Sequence, residues 1–237
     1  MWRKRFIQGI FLGGIEDAYQ ESIKNKFDKD YIFNLKYLPL NQAVKLPIYV
    51  YRDVRFNRLK GNIQLNAPQV YRGMIKIGNV IMGNADPKYQ RAILEIDGTI
   101  VFNGKATIGL GTKISVKEHA SLFLGNNIWV TGGNTTIICN KNIMINDDCL
   151  LSWDILLMDT DFHKILNSDN TIINKEKPIH IGKHVWIGCR TTILKGVSIA
   201  NNNVIAANST ITKSVSTENC IIGCNTEMLK TGIEWKK

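Results

Sequence analysis

IGKHVWIGCRTTILKGVSIANNNVIAANSTITKSV, residues 181–215, sets Ile181, Ile187, Ile193, Ile199, Ile205 and Ile211 six residues apart without a slip. A step of six suits neither an amphipathic helix, which repeats every 3.6 residues, nor a hairpin strand, which alternates. It suits a coil of short straight edges, in which each hexad buries one aliphatic side chain at an equivalent place. The stretch therefore predicts an all-β chain wound as a parallel β-helix.

Working outward, Ile145, Leu151 and Leu157 keep the step, as do Ile108, Ile114 and Ala120, with Leu124 and Val130 resuming it after a change of phase. From Ile48 the texture is short β-branched runs punctuated by Gly and Asn, the residues that tolerate the left-handed backbone of a tight corner. Three hexads close a turn, so the repeat from Ile48 to Cys224 predicts about nine stacked turns with two exposed ends to protect. Residues 1–45 lack the hexad and read as an irregular N-terminal cap and connector, with one helix over Ile15–Phe27 followed by the linker PLNQAVKLP. Residues 46–224 form the β-helix domain and 225–237 a C-terminal tail suited to the other end. Between His163 and Ile179 the hexad disappears, and 164–178 reads as a loop projecting from a corner, where ligand contacts tend to be made.

The formal charge of +10 favours anionic partners. Its scatter along the chain, without a basic stripe interleaved with aromatics, argues against nucleic acid. Five cysteines without a CxxC pair read as free thiols in a reducing compartment. FIQGIFLGGI, residues 6–15, is too short to span a bilayer, so the expectation is a cytoplasmic protein. Weak peripheral membrane contact through MWRKRFIQGIF is the alternative kept open.

Chemistry concentrates in Asp159-Thr160-Asp161-Phe162-His163, where the hexads stop. A histidine titrating near neutrality suits a general base for an alcohol or amine. Asp161 and Asp159 are the candidates to orient it, although either could instead bind the acceptor or close the corner through backbone. His180 and His184 flank inward hexad positions and should point outward, so no metal site is expected. Trp186, just before Ile187, must lie outside the prism, either against a neighbouring subunit or as the wall of a groove. Lys195, Lys213 and Lys230 are available to attract phosphate. No Ser or Cys has a recognisable triad partner, which favours direct transfer without a covalent enzyme intermediate.

VWIGCRTTILKGVSIANNNVIAANSTITKSV, together with MDTDFH, a loop, and KPIHIGKHVWIG, resembles the hexapeptide-repeat acyltransferases of the left-handed β-helix class, nearest the bacterial sugar and polysaccharide O-acetyltransferases. The resemblance implies a left-handed coil, a homotrimer with sites at subunit boundaries, and acetyl-CoA as acyl donor. It implies His163 as the base, with Asp161 as its supporting acid. Trp186 would line the pantetheine groove, Ala207 and Thr212 would contact the cofactor at coil edges, and Lys213 would lie near the CoA phosphates. The family's frequent Gly-x-Pro-Ala ending is absent here, where Gly223 is followed by Cys224, Asn225 and Thr226. The implied reaction is O-acetylation of a sugar hydroxyl on an activated or lipid-linked saccharide in surface polysaccharide or lipopolysaccharide assembly. Transfer to an amino sugar, modification of an antibiotic, a zinc-dependent hydratase and a non-catalytic β-helix adaptor are the competing readings.

Overall fold

The computed structural model describes residues 26–51, 54–79, 82–83 and 85–237. Short strands wind into a three-sided, left-handed parallel β-helix whose sides are sheets of nine, seven and six strands among the described residues. The first side runs from Ile48–Val50 to Cys220–Ile222, the second from Arg55–Leu59 to Thr210–Ile211, and the third from Asn62–Leu65 to Ser198–Ile199. The isoleucine ladder forms the core. On the first side Ile108, Val130, Leu151, Ile187, Ile205 and Ile222 stand one above another. All six are buried, each contributing roughly 1.5–3 kcal/mol of hydrophobic stabilisation.

The hexad rule holds over fewer turns than expected. Trp186 pairs with Val204, eighteen residues on, but Trp129 pairs with Leu150 at twenty-one and Ala106 with Ile128 at twenty-two. Most of the earlier strands are four or five residues long with two inward positions, as in Thr136–Cys139, where Ile137 and Cys139 are both buried. Longer sides use more chain per turn, so the first side carries eight parallel rungs rather than about nine. Corners are closed by residues in the left-handed conformation. Asn127, Asp148, His184, Asn202 and Asn219 occupy successive levels of the corner between the third and first sides, with φ between 52° and 60°.

Both ends are covered. Helix α1 (Lys26–Tyr37) and the single helical turn α2 (Leu40–Ala43) lie at the start of the coil. The expected helix over Ile15–Phe27 overlaps α1 only at its end, and its residues before Lys26 lie outside the described residues. Polar side chains of α1 satisfy the first edge strand: Asn34 Oδ1 accepts from Ile48 N at 3.1 Å, Asn34 Nδ2 donates to Ile48 O at 2.7 Å, and Asp30 Oδ1 accepts from Val50 N at 2.7 Å. Phe33 stacks on Phe56 with centroids 5.4 Å apart. At the far end Met228–Thr231 adds antiparallel to Cys220–Ile222, and the chain then folds back along the first side. There Trp235 is buried, its Nε1 donating to His184 O at 2.9 Å and its ring stacked on His184 at 4.1 Å. His184 is thus held under the tail rather than pointing freely outward. No described helix is long and apolar enough to cross a membrane; residues 6–15 lie outside the described set.

Candidate active site

The arm leaves the coil after Leu156–Met158 on the second side and re-enters at Ile179–Ile181 on the third. Leu151 pairs directly with Ile187, so the turns before and after it stack without a gap. The projecting segment is a small hairpin: Leu166 and Ile172 form an antiparallel bridge and Ile173 N donates to Ile165 O at 2.9 Å. Ile165, Leu166 and Ile173 are exposed on it.

Asp159 takes the corner-closing place among its sequence alternatives. It is completely buried, and its carboxylate accepts from the backbone N–H groups of Asn140, Lys141 and Asn142 at 2.7–2.8 Å. Three donors on one carboxylate hold the corner of the preceding turn, which leaves Asp159 unsuited to orienting the imidazole. Asp161 is at the arm's root, where its Oδ2 accepts from Asn174 Nδ2 at 2.9 Å and pairs with the Lys195 ammonium. Hydrogen bonds from Lys195 and then Asn174 hold this carboxyl below the usual range against a small opposing effect of desolvation.

His163 has a pinned backbone and a free ring. Its N–H donates to Asp161 O at 2.7 Å and its carbonyl accepts from Asn174 Nδ2 at 2.7 Å. The exposed imidazole has no hydrogen-bond partner among the described residues. Phe162, with φ at 60°, makes the kink that turns the ring outward, and its N–H is taken by Thr160 Oγ1 at 3.0 Å. Asn174, whose Oδ1 also accepts from Ile165 N at 2.7 Å, organises the arm's root, yet in sequence it is one asparagine among several in a polar run. Lys195 also departs from expectation: its ammonium is committed to Asp161 and, at 2.7 Å, to Asn174 O. Lys213, exposed at the same corner further along the coil, has no ion-pair partner among the described residues.

The other proposed contacts fall elsewhere on the prism. Trp186 lies on the first side, partly exposed, its Nε1 donating to Ser152 Oγ at 3.1 Å and its ring 6.0 Å from that of Trp235. Ala207 is exposed at the corner between the first and second sides. Gly188 lies one turn below, where a Cβ would come within 2.6 Å of Ala207 N, so glycine lets the two turns close at this edge. Thr212 and Lys213 belong with His163, at the corner between the second and third sides. Within one chain, then, the site residues form two groups on separate edges.

Residues 178–213 match the family described as bacterial transferase hexapeptide (six repeats). The chain thus folds as a left-handed β-helix and carries the hexapeptide repeat over this stretch. Among its relatives it is similar to the polysialic acid O-acetyltransferase of Neisseria meningitidis, 35% identical over 37% of this chain and 41% of that protein. It is also similar to a putative lipopolysaccharide biosynthesis O-acetyl transferase of Escherichia coli K12, 25% identical over 56% of this chain and 72% of the other. The chain thus spans about two fifths of the length of the first of these relatives. The crystal structure of the polysialic-acid-specific acetyltransferase NeuO superposes with a TM-score of 0.56, covering 81% of this chain and 79% of the other at 21% identity. That of the polysialic acid O-acetyltransferase OatWY gives the same score at 23% identity, over 78% and 91%.

Proposed function

We propose that this protein is an acetyl-CoA-dependent O-acetyltransferase that modifies a sugar hydroxyl in surface polysaccharide or lipopolysaccharide assembly. The observation that carries the reading is His163: a ring left free of protein partners, on a backbone pinned by Asp161 and Asn174, at a corner that continues to Thr212 and Lys213. In the reaction His163 takes the acceptor hydroxyl proton as that oxygen attacks the thioester carbonyl carbon. It returns the proton to sulfur as the carbon–sulfur bond breaks. Asp161, its charge balanced by Lys195, serves as a positioning residue that fixes the arm's root.

The separate edges support a homotrimer, in which one copy's Trp186 and Ala207 would face the neighbour's His163, Thr212 and Lys213 across a seam. Such a seam offers an aromatic wall, small exposed edge residues and a free ammonium, which suit a pantetheine arm and its phosphates. The acceptor would be an activated or lipid-linked saccharide. An exposed free thiol at Cys224 is in keeping with a reducing, cytoplasmic setting. The relatives' names support the sugar acceptor. The test is release of free CoA from acetyl-CoA with nucleotide-linked and lipid-linked sugars as acceptors. His163→Ala should lower turnover by about a hundredfold or more with the oligomer unchanged by sedimentation; full activity in that variant would overturn the assignment of the base.

A further inference from the structure

On the first side, in turns that precede the arm and at a different corner from His163, lies a groove of about 350 Å³. Lys76, Lys105 and Lys237 surround it, with Trp129, Asn79 and Thr107 among its walls. Lys76, Thr107 and Trp129 stand at successive levels of one outward-facing column, so the floor is a regular strip of the coil. Lys105 precedes this side at the corner. The C-terminal tail supplies the remaining wall, with Lys237 Nζ donating to Asn127 O at 2.7 Å.

Neither Lys76 nor Lys105 forms an ion pair among the described residues. Asp148, which accepts from Asn127 Nδ2 at 2.7 Å, acts on Lys237. Partial burial is the largest influence lowering the Lys237 pKa, Asp148 opposes it, and the charge of Lys105 acts with burial. Converging ammonium groups repel one another until an anion lies between them. Trp129, 40% exposed, adds a flat apolar face, and Asn79 and Thr107 add neutral hydrogen-bonding groups. Ammonium groups for acid functions, an indole for the C–H face of a pyranose and polar side chains for hydroxyls together describe a carboxylate-bearing saccharide rather than a bare anion.

We propose that this groove binds an acidic segment of the acceptor glycan, distant along the chain from the hydroxyl that reacts. This rests on the acetyltransferase reading for the identity of the glycan as acceptor, but binding is measurable without turnover. The probes are size-graded oligosialic and oligogalacturonic acids, with maltoheptaose and inorganic pyrophosphate as the neutral and non-saccharide arms, titrated into the full chain by calorimetry and by indole fluorescence. The acidic oligosaccharides should bind with an affinity that falls as salt rises, and maltoheptaose should not. Lys76→Gln with Lys105→Gln should weaken binding about tenfold or more, and Trp129→Ala should weaken it while removing the fluorescence change. Affinity unchanged in the double lysine variant would overturn the proposal, as would equal binding of pyrophosphate and acidic saccharide. Binding of acidic oligosaccharide by wild-type protein that releases no CoA with any acceptor tried would support the groove while defeating the proposed activity.

Discussion

Two aspartates two residues apart have opposite duties, and the difference lies in what surrounds each carboxylate. Asp161 is a partly exposed acid whose ion pair with Lys195 fixes an arm; surface pairs of this kind add only about 0–1 kcal/mol to global stability. Its depressed pKa keeps the pair intact through mild acid, and the contribution fades only as pH falls through that lowered value. Asp159 is buried, and its two oxygens satisfy three backbone donors of the neighbouring corner. Removing them leaves those donors facing the space that the buried carboxylate filled. Asp159→Ala should therefore destabilise the fold by about 3 kcal/mol, read as a lower urea midpoint, whereas Asp161→Asn should move that midpoint little. A loss below about 1 kcal/mol for Asp159→Ala would mean that other groups hold the corner. Apart from the resemblance, which favours Asp161, the residues leave the two acids interchangeable as partners of His163, because burial, which separates them, is a property of the stacked turns.

Among the elements, what was legible and what was hidden divide along the repeat. The ladder from Ile181 to Ile211 announces its own register, since an invariant six-residue step admits one way of stacking. The earlier turns are harder to read because their four-residue sides bury two residues each, so the apparent period drifts. Helix α1 went unread because the positions it buries include Lys29 and Asn34, polar residues turned inward to hydrogen-bond backbone at the start of the coil, which hydrophobic periodicity does not reveal. The C-terminal tail was legible as a cap, but not as the strap that covers His184 and flanks Trp186. That strap depends on one large side chain. Trp235→Ala should raise amide hydrogen exchange across 228–237 about tenfold or more, with exchange in the buried ladder from Ile108 to Ile211 unaltered. If exchange in the tail stayed at its original rate, the antiparallel pairing of Met228–Thr231 would be sufficient to hold it without the indole.

For the whole molecule, the decisive question is how two distant edges of one prism can serve one reaction. A rigid coil has no hinge that would bring the corner bearing His163, Thr212 and Lys213 onto the side bearing Trp186 and the corner bearing Ala207. A second copy related by rotation can do so, because a cyclic assembly sets one surface of each subunit against a different surface of the next. Partly exposed Trp153 and Trp186 on the first side are consistent with a face that meets a neighbour. This arrangement makes a prediction that a single-chain site does not. His163→Ala and Trp186→Ala should each be poorly active alone. When the two variants are unfolded, mixed in equal amounts and reassembled, about a quarter of the seams should pair an intact His163 with an intact Trp186 by random association. Activity should then recover toward about a quarter of that of wild-type protein carried through the same cycle. If both residues served a site within one chain, every subunit in the mixture would still lack one of them, and CoA release would remain at the level of the separate variants.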